Sequence, residues 1–216
     1  MRIDPAGWPF VGIGLVFAAL VAAAAGSPYG VAALVLPAFF LFFFRDPERR
    51  TALGPRDVVS PADGKVMVAG TPTGSFDPAA WQQVTIFLSP MDVHVNRIPV
   101  GGTVQRVEYH PGKFLPAYKK EAGELNEWTE VWLDRPGGPV VVRQIVGILA
   151  RRIVCRLTEG EHVSAGQRFG VMKFGSRIDM FLPRHATILV KAGDKVVGGE
   201  TTLATSGAES TSTQKP

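Results

Sequence analysis

From Trp8 to Phe44 the chain carries no charged residue. A stretch that long has no polar face to turn toward water, so it belongs either in a protein core or in a membrane. It divides into apolar runs at 8–25 and 31–44 around Gly26-Ser27-Pro28-Tyr29-Gly30, a turn cluster. As helices the two runs would extend about 27 and 21 Å at about 1.5 Å per residue, against a hydrocarbon core about 30 Å thick. The pattern predicts a membrane-associating helical hairpin over residues 1–44. A cleaved signal peptide is the alternative, because the Ala-rich residues before Gly26 resemble a cleavage site. It would leave a second apolar segment at the new terminus, and the hairpin is preferred. Arg2 on one side and Arg45, Arg49 and Arg50 on the other, with an uncharged connection between, place both ends in the cytoplasm. The expected location is the cell membrane, with the rest of the chain on its cytoplasmic side.

The net charge is +4 and the isoelectric point about 9.4, which suits an anionic membrane surface or nucleic acid. No nucleic-acid motif accompanies the charge, so no nucleic-acid partner is expected. Arg45, Arg49, Arg50 and Arg56 follow the apolar stretch, where attraction to acidic lipid is worth roughly 1 kcal/mol per residue. The single cysteine, Cys155, excludes an intramolecular disulfide. It lies in an apolar run, where a thiol is inert. There is no Cys/His cluster, so no metal site is expected.

Beyond residue 57 the pattern turns strand-like. Short β-branched runs occur at 58–59, 65–68, 84–88, 140–142, 153–157 and 186–190, punctuated by Gly and Pro. Only Pro116–Asn126 reads as helical. Gly160-Glu161-His162-Val163-Ser164-Ala165-Gly166 resembles Gly193-Asp194-Lys195-Val196-Val197-Gly198-Gly199 at an offset of 33 residues. Such repeated turns feeding strands predict a mainly β, barrel-sandwich-like domain with few helices over 45–204. The Ser/Thr-rich stretch 205–216 is expected to be a disordered tail.

Three features carry chemistry. Gly175-Ser176 joins an unhindered carbonyl to a hydroxyl held close by covalent geometry. A base that activates Ser176 would convert the peptide bond to an ester, and β-elimination would then leave a pyruvoyl group. Gly26-Ser27 and Gly74-Ser75 share the dipeptide, so its setting decides. Ser60-Pro61-Ala62-Asp63-Gly64-Lys65-Val66 reads as a turn into a strand. The segment from Ser89 to Pro99 packs Asp92, His94, Asn96 and Arg97 behind an apolar strand. A histidine there, with a carboxylate in reach, suits a general base.

Phe43-Phe44-Arg45-Asp46-Pro47, Ser60–Val66, Asp92–Pro99, Pro111-Gly112-Lys113-Phe114, Gln144–Arg152 and Phe174–Asp179 together resemble short-form phosphatidylserine decarboxylases, from about residue 40 to 200. The resemblance implies a proenzyme that cuts itself at Gly175-Ser176 into a β chain (1–175) and an α chain (176–216), with the pyruvoyl cofactor derived from Ser176. The α and β chains then form a heterodimer, and two of these pair as a homodimer. It implies pyruvoyl-dependent conversion of phosphatidylserine to phosphatidylethanolamine at membrane lipid, assisted by Asp63 and His94. Many members carry a second histidine where this chain has Arg97. Arg97 and His110 are therefore candidates for substrate contact, a guanidinium fork suiting phosphate or carboxylate. His162, in a repeat turn, is expected to be a solvated side chain, and His185 has no metal-ligand partner at a usable spacing. The rival reading takes Met172-Lys173-Phe174 as the turn of a membrane-tethered biotinyl or lipoyl carrier modified at Lys173.

Overall fold

The computed structural model describes residues 2–51, 54, 56–148, 153–173 and 175–206. Leu149–Arg152, Phe174 and the tail from 207 onward, all part of the sequence reading, lie outside the described residues.

The apolar stretch folds as expected into a hairpin: α1 (Trp8–Ala25), α2 (Ser27–Ala33) and α3 (Val35–Phe43). Small residues let the two limbs close. A Cβ added at Gly14 would lie 3.1 Å from Pro37, and Gly30 packs against Ala22. The second limb breaks at Leu34 because Pro37 has no N–H to give the carbonyl of Ala33. Residues 5–25 are long and apolar enough to cross a membrane, and only 17% of that span is buried. It is therefore not a core helix of the β domain. Trp8, Ile13, Val16, Leu20, Val31 and Val35 remain open on its outside.

The hairpin foot is locked to the β domain. Arg2-Ile3 pairs with Arg45-Asp46, Asp4 accepts from Arg156 at 2.7 Å, and Phe43 and Phe44 are fully buried against Val93, Val95 and Val171. A boundary at residue 44 thus runs through a shared core.

Eight strands form the main sheet in the order His162–Val163, Gly102–His110, Trp128–Asp134, Val140–Ile145, Ser176–Pro183, Trp81–Leu88, Gly64–Gly70 and Lys195–Val196. Every pairing is antiparallel. The sheet has two free ends, so no barrel closes. Two three-stranded sheets accompany it: Ile153–Cys155, Arg168–Met172 and Val95–Arg97, and then Thr187–Ile188, Thr202–Thr205 and Asp57–Val59. The repeat is visible in three dimensions, since its copies supply the two edge strands of the main sheet. Gly160 donates to Val104 and Gly193 to Val66, both at 2.8 Å; Gly166 donates to Ile98 and Gly199 to Ser60 at the same distance.

The core is the face of this sheet that carries Val84, Ile86 and Leu88, Val140 and Val142, and Ile178, Met180 and Leu182. Period-two alternation sets this face. Two local expectations need correction. Of Pro116–Asn126 only Ala122–Leu125 is helical, because the Asn126 side chain pins both ends of the segment. Its Oδ1 accepts from Leu115 N at 2.9 Å, and its Nδ2 donates to the carbonyls of Leu115 and Val146 at 2.8 Å. Thr205, assigned to the tail, ends a strand and pairs with Asp57.

Candidate active site

The fold separates three chemically identical Gly-Ser pairs. Gly26, Gly74 and Gly175 all take positive φ, at 102°, 128° and 70°, so backbone conformation does not distinguish them. Ser27 and Ser75 are exposed, whereas Ser176 is fully buried. It opens the central strand Ser176–Pro183, opposite Leu88, and its Oγ has no hydrogen-bond partner. The preceding carbonyl lies against Gly147, where any side chain would collide with it.

His94 is equally buried. It precedes the strand Val95–Arg97, and its carbonyl accepts from Met172 N at 3.2 Å, at the end of the strand that leads to Gly175. Its ring lies against Phe43 at 4.2 Å between centroids. Nδ1 is 2.9 Å from the Asp92 carbonyl. A carbonyl only accepts, so Nδ1 carries the proton and Nε2 keeps its lone pair. Nε2 has no partner. Burial pushes the imidazole pKa down to about 4, opposed by the hydrogen bond to the Asp92 carbonyl and the Asp92 charge. The ring is therefore neutral at physiological pH, an unprotonated acceptor in the same interior as an unpaired hydroxyl donor.

Two further residues at this end of the interior were not singled out as site residues in the sequence. Asn96 and Gln144 are fully buried, and Gln144 Nε2 donates to Asn96 Oδ1 at 2.7 Å. Gln144 stands opposite Ile178. The sequence signal was their place in two of the segments that resemble the family, Asp92–Pro99 and Gln144–Arg152.

Among the described residues Asp63 makes no hydrogen bond to His94: its Oδ2 accepts from Arg49 at 2.8 Å and its Oδ1 from Gly198 N at 2.7 Å, while the imidazole donates to the Asp92 carbonyl. Burial raises the Asp63 pKa, partly offset by the Gly198 hydrogen bond and by Arg49. Arg45 and Asp92 act electrostatically on both Asp63 and His94, so the carboxylate lies in the same charged corner. Arg49 is thereby tied down rather than offered to lipid, and Arg45 is held by the carbonyls of Phe42 and Met91.

The candidates for substrate contact are placed elsewhere. Arg97 donates to Asp46, to the Pro47 carbonyl and to the Gly166 carbonyl, so its fork holds the hairpin exit to the β domain. His110 is exposed and stacks on Trp128 at 3.9 Å. It lies three strand spacings from the Ser176–Pro183 strand, about 14 Å. His162 is exposed, as expected, and His185 is exposed as well. Cys155 is partly buried, which raises its thiol pKa. The Lys173 ammonium lies 4.9 Å from the Phe10 ring centre, against the hairpin rather than at the free turn tip that a carrier requires.

Comparison with known proteins bears on the same residues. A family model described as phosphatidylserine decarboxylase matches residues 36–204. The phosphatidylserine decarboxylase proenzyme of Chlorobium phaeobacteroides is 46% identical over 174 residues, covering 81% of this chain and 81% of that protein. That of Paramagnetospirillum magneticum is 42% identical over 207 residues, covering 94% and 86%. That of Chlorobaculum tepidum is 46% identical over 176 residues, covering 82% of each.

Proposed function

The chain belongs to the phosphatidylserine decarboxylase family of carboxy-lyases, and from that premise we propose that it decarboxylates phosphatidylserine to phosphatidylethanolamine after cutting itself between Gly175 and Ser176. The observation that carries this reading is the buried, unpartnered Ser176 hydroxyl in the same interior as the unpartnered Nε2 of a neutral His94.

Each group has one role in the cut. His94 Nε2 takes the hydroxyl proton, and Oγ attacks the Gly175 carbonyl carbon. The C–N bond breaks as the nitrogen is protonated, leaving an ester. Loss of a proton from the Ser176 α-carbon expels the Gly175 carboxylate. The enamine left at residue 176 takes up one water and releases ammonia, giving a pyruvoyl group ahead of Arg177. The products are a β chain of residues 1–175 and an α chain of 176–216. Asp92, with Asp63 in the same corner, offsets the charge on the transient imidazolium.

The residues fit that prosthetic group. Ser176 has no side-chain hydrogen bond to give up, and its neighbours on the core face, Leu88 and Ile178, are apolar. When formed, the group supplies a carbonyl that condenses with the substrate amine and withdraws electrons as CO₂ leaves. His94 Nε2 would take the proton that the substrate ammonium gives up and return it to the substrate carbon that loses CO₂. The hairpin brings the site to the lipid, because Phe43, which ends α3, also covers His94. We place it in the cell membrane with the β domain on the cytoplasmic side, the αβ pair assembling as a homodimer.

Ser176→Ala should remain one chain by intact mass under denaturing conditions and should release no CO₂ from phosphatidylserine. The wild type should be active with no added cofactor. Two chains from the variant, or wild-type activity that depends on added pyridoxal phosphate, would overturn the reading.

A further inference from the structure

Four buried side-chain atoms at one end of the interior lack partners: His94 Nε2, Ser176 Oγ, Asn96 Nδ2 and Gln144 Oε1. The reading above, on which this inference rests, uses the first two. Burying an unsatisfied amide is costly, and two of them side by side call for an explanation.

Placement supplies one. Gln144 is opposite Ile178, two residues along from Ser176, so Gln144 and Ser176 are diagonal neighbours on the same sheet face. Such neighbours lie about 7–8 Å apart at Cα, within reach of a long side chain. Asn96 follows His94 by two residues, in the strand Val95–Arg97, and meets Gln144 across the interior. Gly170 stands opposite Asn96, and a Cβ there would come within 2.9 Å of Gln144 Nε2. The missing side chain leaves room for the amide pair. The 2.7 Å bond between the two amides also fixes what is left over. Turning both amides round keeps the bond and still leaves one amide nitrogen, with its N–H donors, and one carbonyl oxygen without a partner. A hydroxyl about to lose its proton needs the first of these, a donor for its oxygen as charge builds.

We propose that the Asn96–Gln144 pair is a catalytic clamp on the Ser176 oxygen. Its free N–H donates to Oγ while His94 Nε2 removes the proton, so that the oxygen stays aimed at the Gly175 carbonyl.

The test follows self-cleavage by intact mass and folding by thermal melting, independently of decarboxylation. Asn96→Leu with Gln144→Met removes both amides at nearly constant volume, a change that is close to neutral or stabilising for a buried hydrogen-bonded pair. Cleavage should slow tenfold or more with an unchanged or higher melting temperature. Hydroxylamine, which intercepts esters, should not restore it, since the block precedes ester formation. Asn96→Asp, which keeps the bond to Gln144 but lacks the N–H, should also cleave at least tenfold more slowly while folded. Parent-like cleavage in either folded variant, with Ser176→Ala still uncleaved, overturns the clamp and leaves the proposed function standing. Cleavage of Ser176→Ala itself overturns the proposed function.

Discussion

The strand Ser176–Pro183 buries polar side chains on both faces, and the two faces treat them in opposite ways. On the outer face Arg177 grips Asp179 with two hydrogen bonds at 2.7 and 2.8 Å. Thr85 donates to the same carboxylate at 2.8 Å, and Gln83 donates to Thr85 at 2.8 Å. On the adjoining strands Arg143 pairs with Glu130 and lies 4.3 Å from the Trp128 ring centre. On the inner face Ser176, with His94, Asn96 and Gln144 around it, leaves four atoms unpaired. Burial is the same on both faces. A buried network whose charges answer one another is architecture, whereas buried groups left unanswered are where a reaction can draw on them.

Substitutions can break that comparison. The largest effect should come from His94→Ala. A positioned general base contributes on the order of 10²–10⁴ in rate, so self-cleavage should slow at least a hundredfold, while His162→Ala, on an exposed edge, cleaves normally. Cleaved fractions followed over time on a denaturing gel decide it. Normal cleavage in His94→Ala together with loss in His110→Ala would transfer the base to His110.

Asp179→Ala should do the reverse. It strands Arg177 inside the protein, and breaking a buried pair costs about 3–5 kcal/mol of stability. Urea unfolding should show that loss, while the molecules that do fold still cleave. A stable but uncleaved Asp179→Ala protein would show that the outer network belongs to the chemistry after all.

The smallest effect is a pH dependence assigned to one ring. His94 titrates at about 4 in the folded protein and near 6.5 when unfolded. Between those values the unfolded chain binds the proton and the folded chain does not, so stability is complete above pH 6.5 and falls as pH drops toward 4. A difference of this size is worth about 3 kcal/mol. His94→Leu should flatten that part of the stability profile measured on uncleaved Ser176→Ala protein. Equal slopes with and without His94 would place the titration elsewhere. Self-cleavage of the wild type should likewise hold steady from pH 8 to about 5 and fail only near 4.

Local sequence determined much of this protein. An uncharged run broken by Gly26-Ser27-Pro28 has to turn there, so the hairpin was legible, as were the strands at 64–70, 81–88 and 140–145. The repeat was legible as well, because its glycines mark turns, although which strands it would flank was not. The Gly-Ser bond and His94 could be named because their chemistry resides in the residues themselves. Tertiary structure decided the rest. Only pairing across distant strands could bury Ser176 and leave Ser27 and Ser75 in the open. The partner of His94 turned out to be the Asp92 carbonyl and not Asp63, because a backbone acceptor two residues away leaves no trace in a pattern of side chains. Arg97 looked free for a phosphate until the fold brought Asp46, Pro47 and Gly166 around it. Asn96 and Gln144 lie 48 residues apart in the chain. Nothing in either segment alone could show that they meet, since the meeting is made by sheet register and by the bare backbone of Gly170.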